Sequence, residues 1–155
     1  MTFKELEKKL AKLVDNIGNR SQMQDVADEA TKIVKTRTKQ GKGVDKNGGS
    51  TQKLRQLKTS TIKKRSQLKR AGKLSDETTP SKSNLTQKGE MINSVQGQGQ
   101  KNLATVSLKG RKNQSKAEHQ ADVGRKFMNL AKKEISDLAN IIEDDIKKDI
   151  KKQGL

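Results

Sequence analysis

Residues 95–108 read Val95-Gln96-Gly97-Gln98-Gly99-Gln100-Lys101-Asn102-Leu103-Ala104-Thr105-Val106-Ser107-Leu108, and the fold class turns on them. Ala104, Val106 and Leu108 alternate with Thr105 and Ser107, the two-residue period of a half-buried strand. Gly97-Gln98-Gly99-Gln100 reads as the turn before it. The other well-patterned stretches repeat at three- and four-residue steps. The expectation is α+β: N-terminal helices, a small antiparallel β-sheet and a long C-terminal helix, in a single domain over 1–155.

Upstream, Phe3, Leu6, Leu10, Leu13, Val14 and Ile17 mark an amphipathic helix, with Thr2 as N-cap and Glu5 placed for a capping box. Gly18-Asn19 ends it, and Ser21 restarts a helix along Met23, Val26, Ala27, Ala30, Ile33 and Val34, making 1–34 helical. Residues 35–53 are expected as a basic flexible loop, because Gly41, Gly43, Gly48 and Gly49 lie among polar residues without a period. Residues 54–116 hold a short helix, capped by Ser60 and ended near Gly72, and the β-sheet region. Pro80 marks loop, Leu85 to Val95 is a short apolar-patterned stretch, and Gly110 to Lys116 is loop again. From Ala117 one helix is expected over 117–155. Its stripe is Phe127, Met128, Ile135, Leu138, Ile141, Ile142, Ile146 and Ile150; Glu143, Asp144, Asp145 and paired lysines form the wet face.

Charge is concentrated in the middle. Between Lys35 and Lys73 fourteen Lys and Arg face one acid, Asp45, whereas 1–34 carries six of each sign and 117–155 eight of each. Most of the net +17 therefore belongs to one segment, and a field of that kind seeks a polyanion. The candidate DNA- or partner-contacting residues are Lys35, Arg37, Lys39, Lys42, Lys53, Arg55, Lys63, Lys64, Arg65, Lys69 and Arg70. No aromatic residue accompanies them for base stacking, so any contact to DNA is to phosphate and carries no sequence code.

Leu, Ile, Val and Phe make up 31 of 155 residues, a thin core for so charged a chain. Burial completed against copies or partners is the expectation, which makes this an assembly component. Absent cysteine suits the cytoplasm or a virion built there, and apolar runs of two or three residues cannot span a membrane. No signal-peptide core precedes the first helix, so a soluble protein of cytosolic origin is expected. His119, the only histidine, has no nucleophile motif beside it and reads as an ordinary, partly exposed side chain. The Gly-Lys pairs at 41–42 and 72–73 lack the Ser or Thr of a phosphate loop. Glu143, Asp144 and Asp145 read as solvated charge rather than a metal site. No enzymatic activity, cofactor or metal is expected.

Leu54-Arg55-Gln56-Leu57-Lys58-Thr59-Ser60-Thr61-Ile62-Lys63-Lys64-Arg65, followed by Gly72-Lys73-Leu74, resembles the W-x-x-L-S-x-x-T-x-x-x-R/K block of phage virion-morphogenesis (tail completion) proteins. Ser83-Asn84-Leu85-Thr86-Gln87-Lys88-Gly89-Glu90-Met91-Ile92-Asn93-Ser94-Val95 is similar to their I-L-x-x-T-G-x-L-x-x-S-I block, half of which also occurs in head–tail joining and minor tail proteins. Gln120, Gly124, Arg125, Phe127 and Met128 resemble the family's Q-x-G…R-x-F-L turn. Arg55 stands where the family usually has Trp, and Lys88 replaces the Thr before Gly89. The resemblance covers about residues 50–150 and makes Leu85, Gly89, Met91, Val95 and Phe127 the structural motif. It implies a homo-oligomeric ring, six- or twelve-fold, between portal or adaptor and tail proteins. Such a virion component is assembled in the host cytoplasm, with genomic DNA passing its positive collar. A different class remains open: a small basic nucleic-acid-binding protein, ribosome-associated or chromatin-like.

Overall fold

The computed structural model describes residues 3–45, 47–76 and 78–154, with the Phe3 side chain outside that description. The expected N-cap, Thr2, also lies outside it. Helix α1, Phe3–Asn16, is covered on one side only: Leu6 and Leu13 are half-buried, while Leu10 and Val14 remain 45 % and 67 % exposed. Asn19 then caps the central helix α2, Arg20–Lys39, its Oδ1 accepting from Gln22 N at 2.9 Å. The sequence predicts a start at Ser21 and an end near residue 34. The helix continues because Arg37 and Thr38 prolong the buried stripe of Met23, Val26, Ala27, Ala30 and Val34 at helical spacing.

The flexible loop expected over 35–53 is replaced by the end of α2 and an antiparallel hairpin, β1 Lys42–Val44 with β2 Thr51–Lys53. Val44 anchors it: the side chain is fully buried and its N–H donates to Lys126 O at 2.8 Å. Asp45 organises the tip, its carboxylate accepting from the backbone N–H of Asn47 (3.0 Å), Gly49 (2.8 Å) and Ser50 (3.0 Å) and from Ser50 Oγ (2.9 Å). Helix α3, Thr59–Arg70, follows; Lys58 and not the expected Ser60 stands at its N-cap, and it ends as the sequence predicts. Gly72 has φ +65°, Gly72 N donates to Lys69 O and Lys73 N to Leu68 O, the paired bonds of a Schellman end.

A single turn of helix, α4 (Glu90–Asn93), leads into β3 Val95–Gln100, which pairs antiparallel with β4 Leu103–Leu108. The turn expected at Gly97–Gln100 is therefore strand, and the reversal lies at Lys101-Asn102, with φ +60° at Asn102. Gly97 and Gly99 serve close approach: a Cβ on Gly97 would collide with Ala27 O, and one on Gly99 with the backbone of Met23 and Gln24. The α2 backbone thus lies directly on β3, and Gln24 bonds the strand, its Oε1 accepting from Gly99 N at 2.9 Å. On β4, Ala104, Val106 and Leu108 turn inward while Leu103, Thr105 and Ser107 are exposed, the expected alternation.

The C-terminal region is two helices, α5 Arg111–Asp122 and α6 Lys132–Gln153, where the sequence predicts loop over 110–116 and one helix from Ala117. Gly124, at φ +80°, ends α5 through Gly124 N to Ala121 O and Arg125 N to Gln120 O. Phe127 therefore belongs to a connector, where it is buried against Val34, Met91, Ile92, Val95, Leu108 and Ala117. A second cluster joins Met23, Val26 and Ala30 of α2 to Leu138 of α6, with Ile141 and Ile142 half-buried beside it; Ile135, expected in the stripe, is 54 % exposed. The architecture is α+β, with a long C-terminal helix and two small antiparallel strand pairs.

Candidate functional site

The basic segment divides into cations turned outward and two arginines turned inward. Lys42 and Lys53 are exposed and directly opposite each other on the hairpin, and Arg55, Lys63, Lys64, Lys69 and Arg70 are exposed on and before α3. None of these seven forms an ion pair with a described carboxylate. Lys35 and Lys39 are half-buried on α2. Like charges facing across a strand pair repel, so this surface favours an external anion.

Arg37 and Arg65 are not part of that surface, which corrects the expectation that both contact DNA or a partner there: they are 5 % and 3 % exposed. Arg37 NH1 donates to Glu134 Oε2, and NH2 donates to Phe127 O at 2.5 Å and Asn129 O at 2.7 Å. Glu134 also accepts from Ala131 N at 2.8 Å, so one carboxylate caps α6 and neutralises Arg37. Burial pulls the Arg37 pKa below the usual guanidinium range, and the Glu134 charge opposes that shift.

Arg65 has no carboxylate partner among the described residues. Its NH1 donates to Lys82 O at 2.7 Å and its NH2 to Thr78 Oγ1 at 2.9 Å, while Thr78 donates to Asn84 Oδ1 at 2.7 Å. Burial lowers its pKa and the charge of Arg125 lowers it further; Arg125 is itself lowered by burial and then by Arg55. Arg65 and Arg125 share a cleft of about 470 Å³, floored by Leu57, Leu85 and Met91 and rimmed by Lys88, Lys112 and Lys116.

The structural motif residues converge here. Gly89 is buried at φ +77° ahead of α4, a left-handed conformation that glycine adopts freely. Leu85, half-buried, adopts φ +56°, strained for a residue with a γ-branched side chain. Met91, Val95 and Phe127 share the first core cluster. Arg125 NH1 donates to Gln120 Oε1 at 3.1 Å, tying two residues of the third block. Lys88, Lys112 and Lys116 lie outside the basic segment, so charge counting along the chain overlooked them; only the folded chain brings them to Arg65.

His119 is exposed on α5. Glu143 pairs with Lys147 at 2.7 Å and Asp145 with Lys148 at 3.0 Å, the solvated face expected. Among the described residues no group of three His, Cys, Asp or Glu is placed to hold a metal ion, and no helix is long and apolar enough to cross a membrane. No family model matches this chain, no curated protein matches it in sequence and no solved structure matches its fold.

Proposed function

We propose that this chain is a non-enzymatic structural protein of a tailed-phage virion, a tail-completion or head–tail connector component. It forms a ring between portal or adaptor and tail. The observation that carries the reading is the convergence of its three motif blocks. Arg65 from the first, Leu85, Gly89 and Met91 from the second, and Gln120 and Arg125 from the third line one cleft, and Phe127 locks the third block against the second. Residues far apart in sequence and alike in pattern to one family thus form one structural unit. The incompletely covered apolar side of α1, with Leu10 and Val14 exposed, supports burial against another copy. A closed ring satisfies such a heterologous contact, and repeats the outward cations around its circumference.

Mass measurement in solution tests this, at low and at high salt. A discrete closed oligomer, or a stable complex with portal, adaptor or tail proteins, is expected. The outward cations of α3 and the hairpin, unpaired among the described residues, favour the second reading, a small basic nucleic-acid-binding protein. A monomer that binds duplexes tightly and shows no affinity for virion proteins would establish that reading instead.

A further inference from the structure

The cleft between α3, α4 and α5 collects positive charge that the described residues do not neutralise. Arg65, Arg125, Lys88, Lys112 and Lys116 face one carboxylate, Glu90, which stands 3.7 Å from Lys116 Nζ at an exposed position. The Nε of Arg65 and of Arg125, like that of Arg37, is removed from solvent and has no acceptor among the described residues, so what sets the cleft apart is its uncompensated charge. A buried donor without a partner is costly, and two guanidinium groups within repulsive reach add to that cost. The same chain shows at Arg37 how it neutralises a buried arginine when the need is structural: it supplies Glu134. At Arg65 no acid among the described residues is supplied.

We propose that this cleft is a docking site for an acidic peptide segment of a partner protein. Arg65 and Arg125 take a carboxylate of the segment, and Leu57, Leu85 and Met91 take an apolar side chain next to it. Carboxylate geometry matches the guanidinium fork, and the lysine rim steers an acidic segment inward. Nucleic acid fits less well. Arg65 lies beneath the surface, where a duplex phosphate does not reach, and a sugar–phosphate backbone makes no use of an apolar floor. A volume of about 470 Å³ admits a few side chains of an extended segment and no folded element. This site goes beyond the ring reading, which concerns copies of the chain and outward charge.

The test titrates the full chain with short capped peptides in which leucine alternates with glutamate, and with the same peptides carrying glutamine. The glutamate peptides are expected to bind at least about tenfold more tightly, and Arg125→Gln to lose about tenfold. The double variant Lys112→Gln/Lys116→Gln, confined to exposed positions of α5, weakens binding without entering the core and serves if Arg125→Gln fails to fold. Lys63→Ala, on the outward face, leaves binding unchanged. The proposal is overturned if no glutamate peptide binds up to about 1 mM, or if glutamine peptides bind equally well. Arg125→Gln retaining full affinity overturns it too, as does duplex DNA occupying the cleft and displacing the peptide. The mass measurement decides the ring reading separately.

Discussion

Arg37 and Arg65 come from the same basic segment, are both buried, and are treated oppositely by the fold. Arg37 reaches across from α2 to the start of α6, where one carboxylate and two carbonyls take its NH1 and NH2 donors, its Nε having no acceptor among the described residues. Arg65 holds a loop through Lys82 and Thr78 but lies beside Arg125 with no acid among the described residues. The first charge is neutralised inside the chain by Glu134; the second is the charge the proposed docking site uses. One stretch of sequence rich in arginine therefore serves two purposes, and partner identity separates them.

The Arg37 side is the place to break the fold. Leu138 packs one turn beyond Glu134 on α6, buried with Met23, Val26 and Ala30. Leu138→Asp removes that packing and places a carboxylate in an apolar cluster, so a loss above about 5 kcal/mol is expected, enough to unfold a thin domain. Circular dichroism and solution mass would show an unfolded or disassembled chain. Glu143→Lys on the same helix is exposed and should change stability by less than about 0.5 kcal/mol. Equal tolerance of both would mean that α6 does not close the core.

Glu134→Ala sharpens the contrast directly. It leaves Arg37 buried without its anion and removes the cap bond to Ala131, so about 3–5 kcal/mol should be lost in denaturant unfolding. Arg125→Gln acts in the opposite sense: it relieves repulsion at Arg65, and stability should change by less than about 1 kcal/mol, upward if at all. If Arg125→Gln costs as much as Glu134→Ala, the cleft is a structural tie like the Arg37 site.

How much of this contrast was legible beforehand follows from what apolar patterning can detect. Ala104, Val106 and Leu108 announced β4, and the stripe from Met23 to Val34 announced α2, since apolar residues face the core in each. The hairpin at 42–53 was not legible, because its anchor is one side chain, Val44, plus one backbone bond to Lys126 and an Asp45-centred tip. Gly97 and Gly99 looked like a turn because what they provide is a missing Cβ against α2, which becomes visible only with the helix in place. The cleft was partly legible: the motif blocks named Arg65, Leu85, Gly89, Met91 and Arg125, but charge density along the chain pointed to α3's outer face and missed Lys112 and Lys116.

The outward cations give smaller effects. Lys63→Ala/Lys64→Ala should leave unfolding unchanged within about 0.5 kcal/mol, since both side chains are exposed. If α3 meets DNA, duplex affinity should fall at low salt, and the slope of log affinity against log salt should flatten by about 0.9 for each phosphate contact removed. Scrambling the duplex sequence should change little. An unaltered slope, with binding to an acidic partner protein lost in the same variant, would assign α3's outer face to that protein instead.

The smallest effect concerns the one acid of the basic segment. Asp45 spends its carboxylate on Ser50 Oγ and on the N–H groups of Gly49, Ser50 and Asn47, and these bonds hold its pKa below the ordinary carboxylate range. A carboxyl group with a depressed folded pKa contributes stability that is fully present above its unfolded pKa. That contribution is lost as pH falls through the lower, folded value. Neutral and mildly acidic solutions should therefore leave the 45–50 tip ordered, and only strongly acidic ones release it. The effect should be local, because the tip is solvent-facing while Val44 remains anchored to Lys126. Amide exchange at Asn47, Gly49 and Ser50 should accelerate on acidification relative to their intrinsic rates, with Val44 still protected, and Asp45→Asn should show accelerated exchange already at neutral pH. If exchange at the three amides follows the global unfolding of α2 at every pH, Asp45 is part of the closed core and the tip is not a separable unit.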